Sequence, residues 1–314
     1  AVDELITIAK EANIPAEIYH LKAAGKNNWN KMDAVIKKVE DARTAGINIT
    51  ADMYTYVAGE TGLTSCLPPT LQDGGFDKLW LRLQDTAIRS QMKIAMNTNA
   101  QDWENLYYAT GSPDKILLLD FKKDSLKKYS GKSLAEVASI RGTSPEETVM
   151  DLIVQDSTRV GAAYFFINEE NIKKQLSLPW VSFGSDEGSY TAEGSFLLSN
   201  PHPRAYGNFI RVIGHYSRDE RILPLQQAIY KLSKLPATNL KLQRRGELKT
   251  GYFADVVIFD ANTVTDHASF NKPHQYATGV ADVFVNGVQV IKNGSHTNAK
   301  AGRFIKGPGY GIKK

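Results

Sequence analysis

The stretch that decides the fold is residues 161 to 185, GAAYFFINEENIKKQLSLPWVSFGS. Gly161 to Ile167 is an apolar run bounded by polar residues, the pattern of a strand covered on both faces, as in a parallel sheet. Glu169 to Leu176 predicts a short helix and Trp180 to Ser185 a further strand. Strand, crossover helix and strand in this order predict a parallel α/β sheet or barrel.

The alternation continues toward the start of the chain. Leu5, Ile6, Ile8 and Ala9 fall at helical spacing, Asn13-Ile14-Pro15 breaks the pattern, and Ala16 to His20 reads as a short strand. A second helix has Met32, Val35, Ile36, Val39 and Ala42 on one face and a stop at Gly46. Ile47 to Tyr56 alternates and is rich in β-formers, so it predicts a strand. At Ser144-Pro145-Glu146-Glu147 a helix should begin: Ser144 caps the amides, Pro145 suits the first position and Glu147 completes a capping box.

Residues from about 61 to 130 are irregular, with Pro68-Pro69 and Gly74-Gly75, and read as an insertion containing a short strand at Lys115 to Phe121. Beyond Ser185, helices are expected at Phe209 to Tyr216 and Pro224 to Leu235. The texture changes at Gly246. Asp255 to Phe259 predicts a strand, and Val280 to Val285 with Val288 to Ile291 predict a hairpin on the Asn286-Gly287 turn.

With 314 residues the chain can form one large α/β unit or a barrel piece with a small domain attached. It is 42% hydrophobic and 23% charged, and no apolar run approaches the roughly 18 residues of a membrane span, so no membrane partner is expected. Its 38 basic and 34 acidic residues are interspersed, which demands no nucleic-acid partner. The basic end, Lys292, Lys300, Arg303, Lys306, Lys313 and Lys314, reads as a solvated terminus. Cys66 is the single cysteine, so no internal disulfide can form; its neighbours Ser65, Leu67, Pro68 and Pro69 carry no catalytic pattern. The opening residues have neither an initiator Met nor a signal pattern and read as a helix already under way, as if the chain began inside a fold.

Catalytic groups of a barrel project from the C-terminal ends of its strands. His20 closes the first predicted strand, Asp52 to Tyr56 the second and Ser185-Asp186 the last. An imidazole and a carboxylate on separate strand ends can hold a divalent metal, and the carboxylate can take the proton of a metal-activated water. Residue type alone favours a structural histidine and a turn-forming aspartate over the metal-binding reading.

Five segments, in this order, resemble the N-acyl-D-amino-acid deacylase (D-aminoacylase) branch of the amidohydrolase superfamily. They are Tyr19-His20-Leu21-Lys22 with Gly25-Lys26-Asn27-Asn28-Trp29; Asp52-Met53-Tyr54-Thr55-Tyr56 with Ala58-Gly59; Gly184-Ser185-Asp186; Pro201-His202-Pro203-Arg204-Ala205-Tyr206-Gly207-Asn208-Phe209 with Arg211 and Gly214-His215-Tyr216; and Arg245 to Asp255. The resemblance implies an α/β fold: residues 1–245 as a partial (β/α)8 TIM-like barrel holding strands five to eight, with the insertion at about 61–130, and residues 246–314 as a small β-sandwich portion. It implies zinc-dependent hydrolysis of the amide bond of N-acyl-D-amino acids. His20 then corresponds to the metal ligand at the end of strand five. Asp186 corresponds to the strand-eight aspartate that contacts metal and serves as catalytic base and acid. Arg204 suits a bidentate grip on a substrate carboxylate or, equally, a loop-packing salt bridge; Tyr56, Lys22 and His202 are further candidate substrate contacts, although His202 reads more readily as structural and Lys22 as a solvated lysine.

The departures matter as well. No His-x-His occurs among the six histidines, the strand-four ligand is absent, and Asp52, Met53, Tyr54 and Tyr56 stand where many superfamily members have a strand-six histidine. The zinc count is therefore open: one or two ions in a complete protein, or none in a chain of this extent. Such a chain is expected to be inactive or very weak alone, and to pair with a missing N-terminal segment or self-associate through open strand edges. Two other functions fit less of the sequence: a non-catalytic binding or scaffold protein, and a cyclic-amide hydrolase of the dihydroorotase or hydantoinase kind.

Overall fold

Ten short strands organise the computed structural model, which describes residues 1–310. In chain order they are β1 (Ala16–Ile18), β2 (Ile49–Met53), β3 (Gly59–Gly62), β4 (Ile116–Asp120), β5 (Gly161–Tyr164), β6 (Val181–Phe183), β7 (Val256–Phe259), β8 (Val280–Val285), β9 (Val288–Lys292) and β10 (Ser295–His296). They form three sheets.

The sheet that positions the site is parallel, with β2 between β1 and β6; Ala16 faces Ile49, and Met53 faces Phe183. Ile49, Ala51 and Met53 point into the core while Thr50 and Asp52 stay half-exposed, the period-two alternation read from the sequence. The helices Val2–Ala12 and Met32–Thr44 lie where expected. Gly46 ends the second one at φ +88°, a conformation that favours glycine, as the Ile47 amide donates back to the Ala42 carbonyl at 3.1 Å.

The barrel expected from the order of elements is not closed. Among the described residues only three strands run parallel, and the deciding stretch divides between two sheets. β5 is not in the parallel sheet but lies antiparallel between β3 and β4, with both Gly59 and Ile116 opposite Tyr164. Ala162, Ala163 and Tyr164 are fully buried. An uninterrupted apolar run reports burial on both faces and carries no record of which way its neighbours run.

β4, inside the segment read as an insertion, is an edge of that second sheet. Leu63, Leu79, Met96, Ile116 and Leu118 from the same segment join the core that contains Ile49 and Met53.

The Ser144 hydroxyl accepts the Glu147 amide at 3.2 Å and caps the helix Pro145–Asp156. The reciprocal half of the expected capping box does not form, because Arg89 and Lys93 engage the Glu147 carboxylate in charge-assisted pairs. Downstream, the helix Arg204–Arg211 begins before the predicted start and continues as a π-wound segment, Val212–Asp219. Arg211 Nε donates to the Thr55 carbonyl at 3.2 Å, and the Tyr216 hydroxyl reaches the same oxygen at 3.5 Å. Leu225–Leu232 and Lys234–Asn239 replace the single helix expected there.

The terminal unit is a four-stranded antiparallel sheet, β10-β9-β8-β7. Its β8–β9 turn has Asn286 at φ +51° and Gly287 at φ +81°, both in the left-handed region that a two-residue hairpin turn requires. Of the basic terminus, Lys313 and Lys314 fall outside the described residues. Among the described residues no helix is long and apolar enough to cross a membrane.

Candidate active site

Two parallel strands end in non-glycine residues with left-handed backbone: His20, just past β1, at φ +43°, and Asp186, just past β6, at φ +52°. Such conformations cost free energy and persist where the surroundings hold them. For His20 the hold is visible: its amide donates to Asp52 Oδ1 at 2.6 Å, and the Leu21 amide donates to the Asp52 carbonyl at 2.8 Å. Burial pushes the Asp52 carboxyl above the ordinary carboxylate range. Asp186 is held by the Tyr19 hydroxyl, which donates to Oδ1, and by Arg204 Nη1, 2.9 Å from Oδ2.

His20 and Asp186 open onto one cavity of about 610 Å³, shared with Glu60, Asp120, Glu187 and Arg204. The fold thus brings together three of the six residues singled out from the sequence, His20, Asp186 and Arg204. Arg204 is 4% exposed and surrounded by acids: besides Asp186, Nε lies 3.6 Å from Glu187 Oε2 and Nη2 lies 3.9 Å from Glu60 Oε2. Its guanidinium stacks over the Tyr54 ring, 4.6 Å from the centroid. Burial, reinforced by Glu187, pushes the Glu60 carboxyl up to about 8.

The other three lie elsewhere. Lys22 turns back on the histidine, with Nζ 2.7 Å from His20 Nδ1 and 2.8 Å from its carbonyl oxygen. It is half-buried rather than solvated, and that burial lowers its pKa to about 8. His202 is fully buried beneath the loop that carries Arg204. Its Nδ1 accepts the Arg204 amide at 3.1 Å while Nε2 donates to the Ala58 carbonyl at 3.0 Å, a pattern that needs a neutral ring. Burial holds its pKa well below the ordinary histidine value. Tyr56 packs edge-on against His202, ring centroids 5.3 Å apart, and its hydroxyl fits against Gly207, where a Cβ would collide with it. Neither Tyr56, His202 nor Lys22 lines the cavity.

Sequence reasoning missed Asn208, Tyr54, Glu60 and Glu187. Asn208 Oδ1 accepts the Thr55 amide at 2.9 Å and the Thr55 hydroxyl at 3.0 Å, while its Nδ2 donates to the Gly184 carbonyl at 2.9 Å. It therefore ties the end of β2 to the end of β6. Asn208 stands immediately before the predicted helix, where an asparagine reads as a local cap, so its long-range role left no signal. Glu60 had none, since a strand carboxylate reads as solvent-facing.

A catalytic zinc takes three protein ligands and keeps one open position. Here His20 offers Nε2, which makes no hydrogen bond among the described residues, and Asp186 offers a carboxylate. This is a compatible but incomplete donor set. Among the described residues no further His, Cys, Asp or Glu completes a three-ligand cluster there. The one such cluster, Glu169 with His215 and Glu220, is already engaged: His215 Nε2 lies 3.0 Å from Glu220, Lys173 Nζ 2.8 Å from Glu220, and the Tyr216 hydroxyl 2.8 Å from Glu169.

The pattern that defines the Amidohydrolase family matches residues 70–291. A D-aminoacylase of Alcaligenes xylosoxydans xylosoxydans is 31% identical over 305 residues, which are 97% of this chain and 51% of that protein. A solved D-aminoacylase with a binuclear metal centre superposes with a TM-score of 0.72 at 30% identity, over 97% of this chain and 52% of that one. The N-acyl-D-glutamate deacylase of Bordetella bronchiseptica, solved with zinc and a phosphonate inhibitor, superposes with a TM-score of 0.70 at 26% identity, over 92% and 49%. The chain spans about half the length of the relatives it matches.

Proposed function

The chain belongs to the amidohydrolase family as a D-aminoacylase-like member, and from that premise we propose that it supplies one wall of the active site of a zinc-dependent N-acyl-D-amino-acid deacylase. The observation that carries this reading is the convergence of His20 and Asp186, from two strand ends and in two strained conformations, on one cavity.

In this reading His20 and Asp186 hold the ion. Zinc, when bound, supplies a Lewis acid and makes water a nucleophile near neutral pH. Asp186 takes the proton of the attacking water and returns it to the leaving amine nitrogen as the amide C–N bond breaks. Arg204 faces the substrate carboxylate, a pairing its planar fork suits. Tyr54 under the guanidinium and Asn208 between the strand ends keep these groups in register. Lys22 orients the imidazole, and His202 supports the Arg204 backbone.

The remaining metal ligands come from the part of the relatives' length that this chain does not span. The 314 residues alone are then inactive or very weak, and the edge strands β1 and β6 pair with that segment or with another copy. The experiment is hydrolysis of N-acetyl-D-leucine, its L-enantiomer and a hydantoin by the zinc-loaded full-length protein and by the 314-residue chain. Turnover of the D-substrate by the full-length protein only is expected. Full activity of the short chain would remove the need for further ligands, and turnover of the hydantoin alone would remove the deacylase reading.

A further inference from the structure

Tyr19 is 60% exposed, so its ring adds little to the core, yet it touches both residues assigned to the metal. It directly precedes His20, and the two rings lie 4.2 Å apart between centroids at 44° to one another. Its hydroxyl crosses to the end of β6 and donates to Asp186 Oδ1. A tyrosine that serves packing buries its ring and points its hydroxyl at a partner in reach. Tyr19 instead leaves the ring mostly in solvent and sends the hydroxyl to a carboxylate 167 residues away in the chain. Asp186 needs such a hold, since it stands just past its strand with left-handed backbone at φ +52°.

We propose that Tyr19 is a positioning residue of the site: its ring sets the plane of the His20 imidazole and its hydroxyl fixes the Asp186 carboxylate, so that metal ligand and proton acceptor keep one mutual orientation. The inference rests on the deacylase reading above and adds a residue to it. It leaves room for the ion of that reading. A carboxylate has about four lone-pair positions, and the phenol occupies one of them, on Oδ1. A phenol also keeps its proton at neutral pH, so it donates without bringing a charge that would compete with zinc. Arg204 Nη1 is the other hold on Asp186, at 2.9 Å from Oδ2. The same reading commits that guanidinium to the substrate carboxylate, which makes the phenol the hold that persists through the reaction.

The test uses the full-length protein, with zinc affinity read by competition against a chromophoric chelator and kcat and KM read on N-acetyl-D-leucine. It compares wild type, Tyr19→Phe, Tyr19→Ala, Asp186→Ala and the double variant Tyr19→Phe with Asp186→Ala. Tyr19→Phe should lower kcat about tenfold with KM near the wild-type value, and weaken zinc about fivefold. Tyr19→Ala should weaken zinc about tenfold further, because the support of the imidazole is lost as well. In the Asp186→Ala background Tyr19→Phe should change zinc affinity by less than about twofold, since the hydroxyl no longer has anything to hold. The exposure of Tyr19 and the loss of a single oxygen keep Tyr19→Phe folded. Unchanged zinc affinity and kcat in Tyr19→Phe, a rise in KM alone, or a zinc effect undiminished by Asp186→Ala overturns the positioning role and leaves the deacylase reading standing. The expected zinc pattern without hydrolysis by wild type removes the deacylase reading and keeps the positioning role. Neither hydrolysis by wild type nor any zinc effect of Tyr19→Phe overturns both.

Discussion

The amide of His20 donates to the carboxylate of Asp52 at 2.6 Å, so a side chain on the central strand fixes the left-handed turn that presents the imidazole. Replacing Asp52 by Ala removes the acceptor and frees a turn whose relaxed form points the ring elsewhere. Zinc affinity of the full-length protein should weaken by about 10- to 100-fold, as it does when supports of ligands are lost. Asp52→Asn, which keeps an acceptor oxygen, should recover most of it. Competition with a chromophoric chelator reads both; equal affinities in wild type and Asp52→Ala would remove the link.

Arg204 balances several carboxylates while nearly enclosed. Arg204→Ala leaves buried negative charge without a partner and should destabilise the chain by about 3–5 kcal/mol. Arg204→Lys should restore less than half of that, because an ammonium provides neither the fork nor the flat face that rests on Tyr54. Urea denaturation of the three proteins measures it, and full rescue by Lys would argue against the stacked geometry.

Asn208 satisfies one buried amide, one hydroxyl and one carbonyl on two different strand ends. Asn208→Ala should cost about 2 kcal/mol, the price of leaving such groups unpaired. The loss should appear as faster amide exchange at Thr55 in particular. Protection at Thr55 equal to wild type would show that the asparagine is not its anchor.

Lys231 is 3% exposed, donates to the carbonyls of Leu176 and Leu178 at 2.5 and 2.9 Å, and has no acidic partner among the described residues. Burial lowers its pKa to about 8 from an ordinary 10.5. Its folded pKa is thus below its unfolded one, so between about pH 8 and 10.5 the unfolded chain binds the extra proton and stability rises with pH; below pH 8 the whole penalty is present. That contribution is of the order of 3 kcal/mol across the window. Lys231→Met should flatten the rise, visible as the difference between the two unfolding free energies measured at pH 7.5 and pH 10. Parallel pH profiles would place the proton elsewhere.

What the sequence made legible follows from the range of each interaction. Helix caps, the Gly46 stop and the Asn286-Gly287 turn are local, and each stands where its residues put it, apart from the Glu147 half of the capping box. Burial of residues 161–164 was legible too, because hydrophobicity reports it directly. The direction of their neighbours was not, since pairing of β5 with β3 and β4 is decided across about 100 and 45 residues of chain. At the site, His20, Asp186 and Arg204 could be picked out by their place at strand ends and in ordered motifs. The carboxylates of Glu60 and Glu187 could not, because an acid looks solvent-facing until its arginine is brought to it.

The π winding of Val212–Asp219 has a geometric consequence for β2. In α winding, residues five apart are separated by about 500°, so they point roughly 140° away from each other. Arg211 and Tyr216 are five apart and yet both reach the carbonyl oxygen of Thr55. The widened coil acts as a phase adjuster, turning two side chains that would diverge into a two-point clasp on the residue where the central strand leaves the sheet. Shortening the segment by a single residue would reset that phase, and the clasp would keep one finger at most.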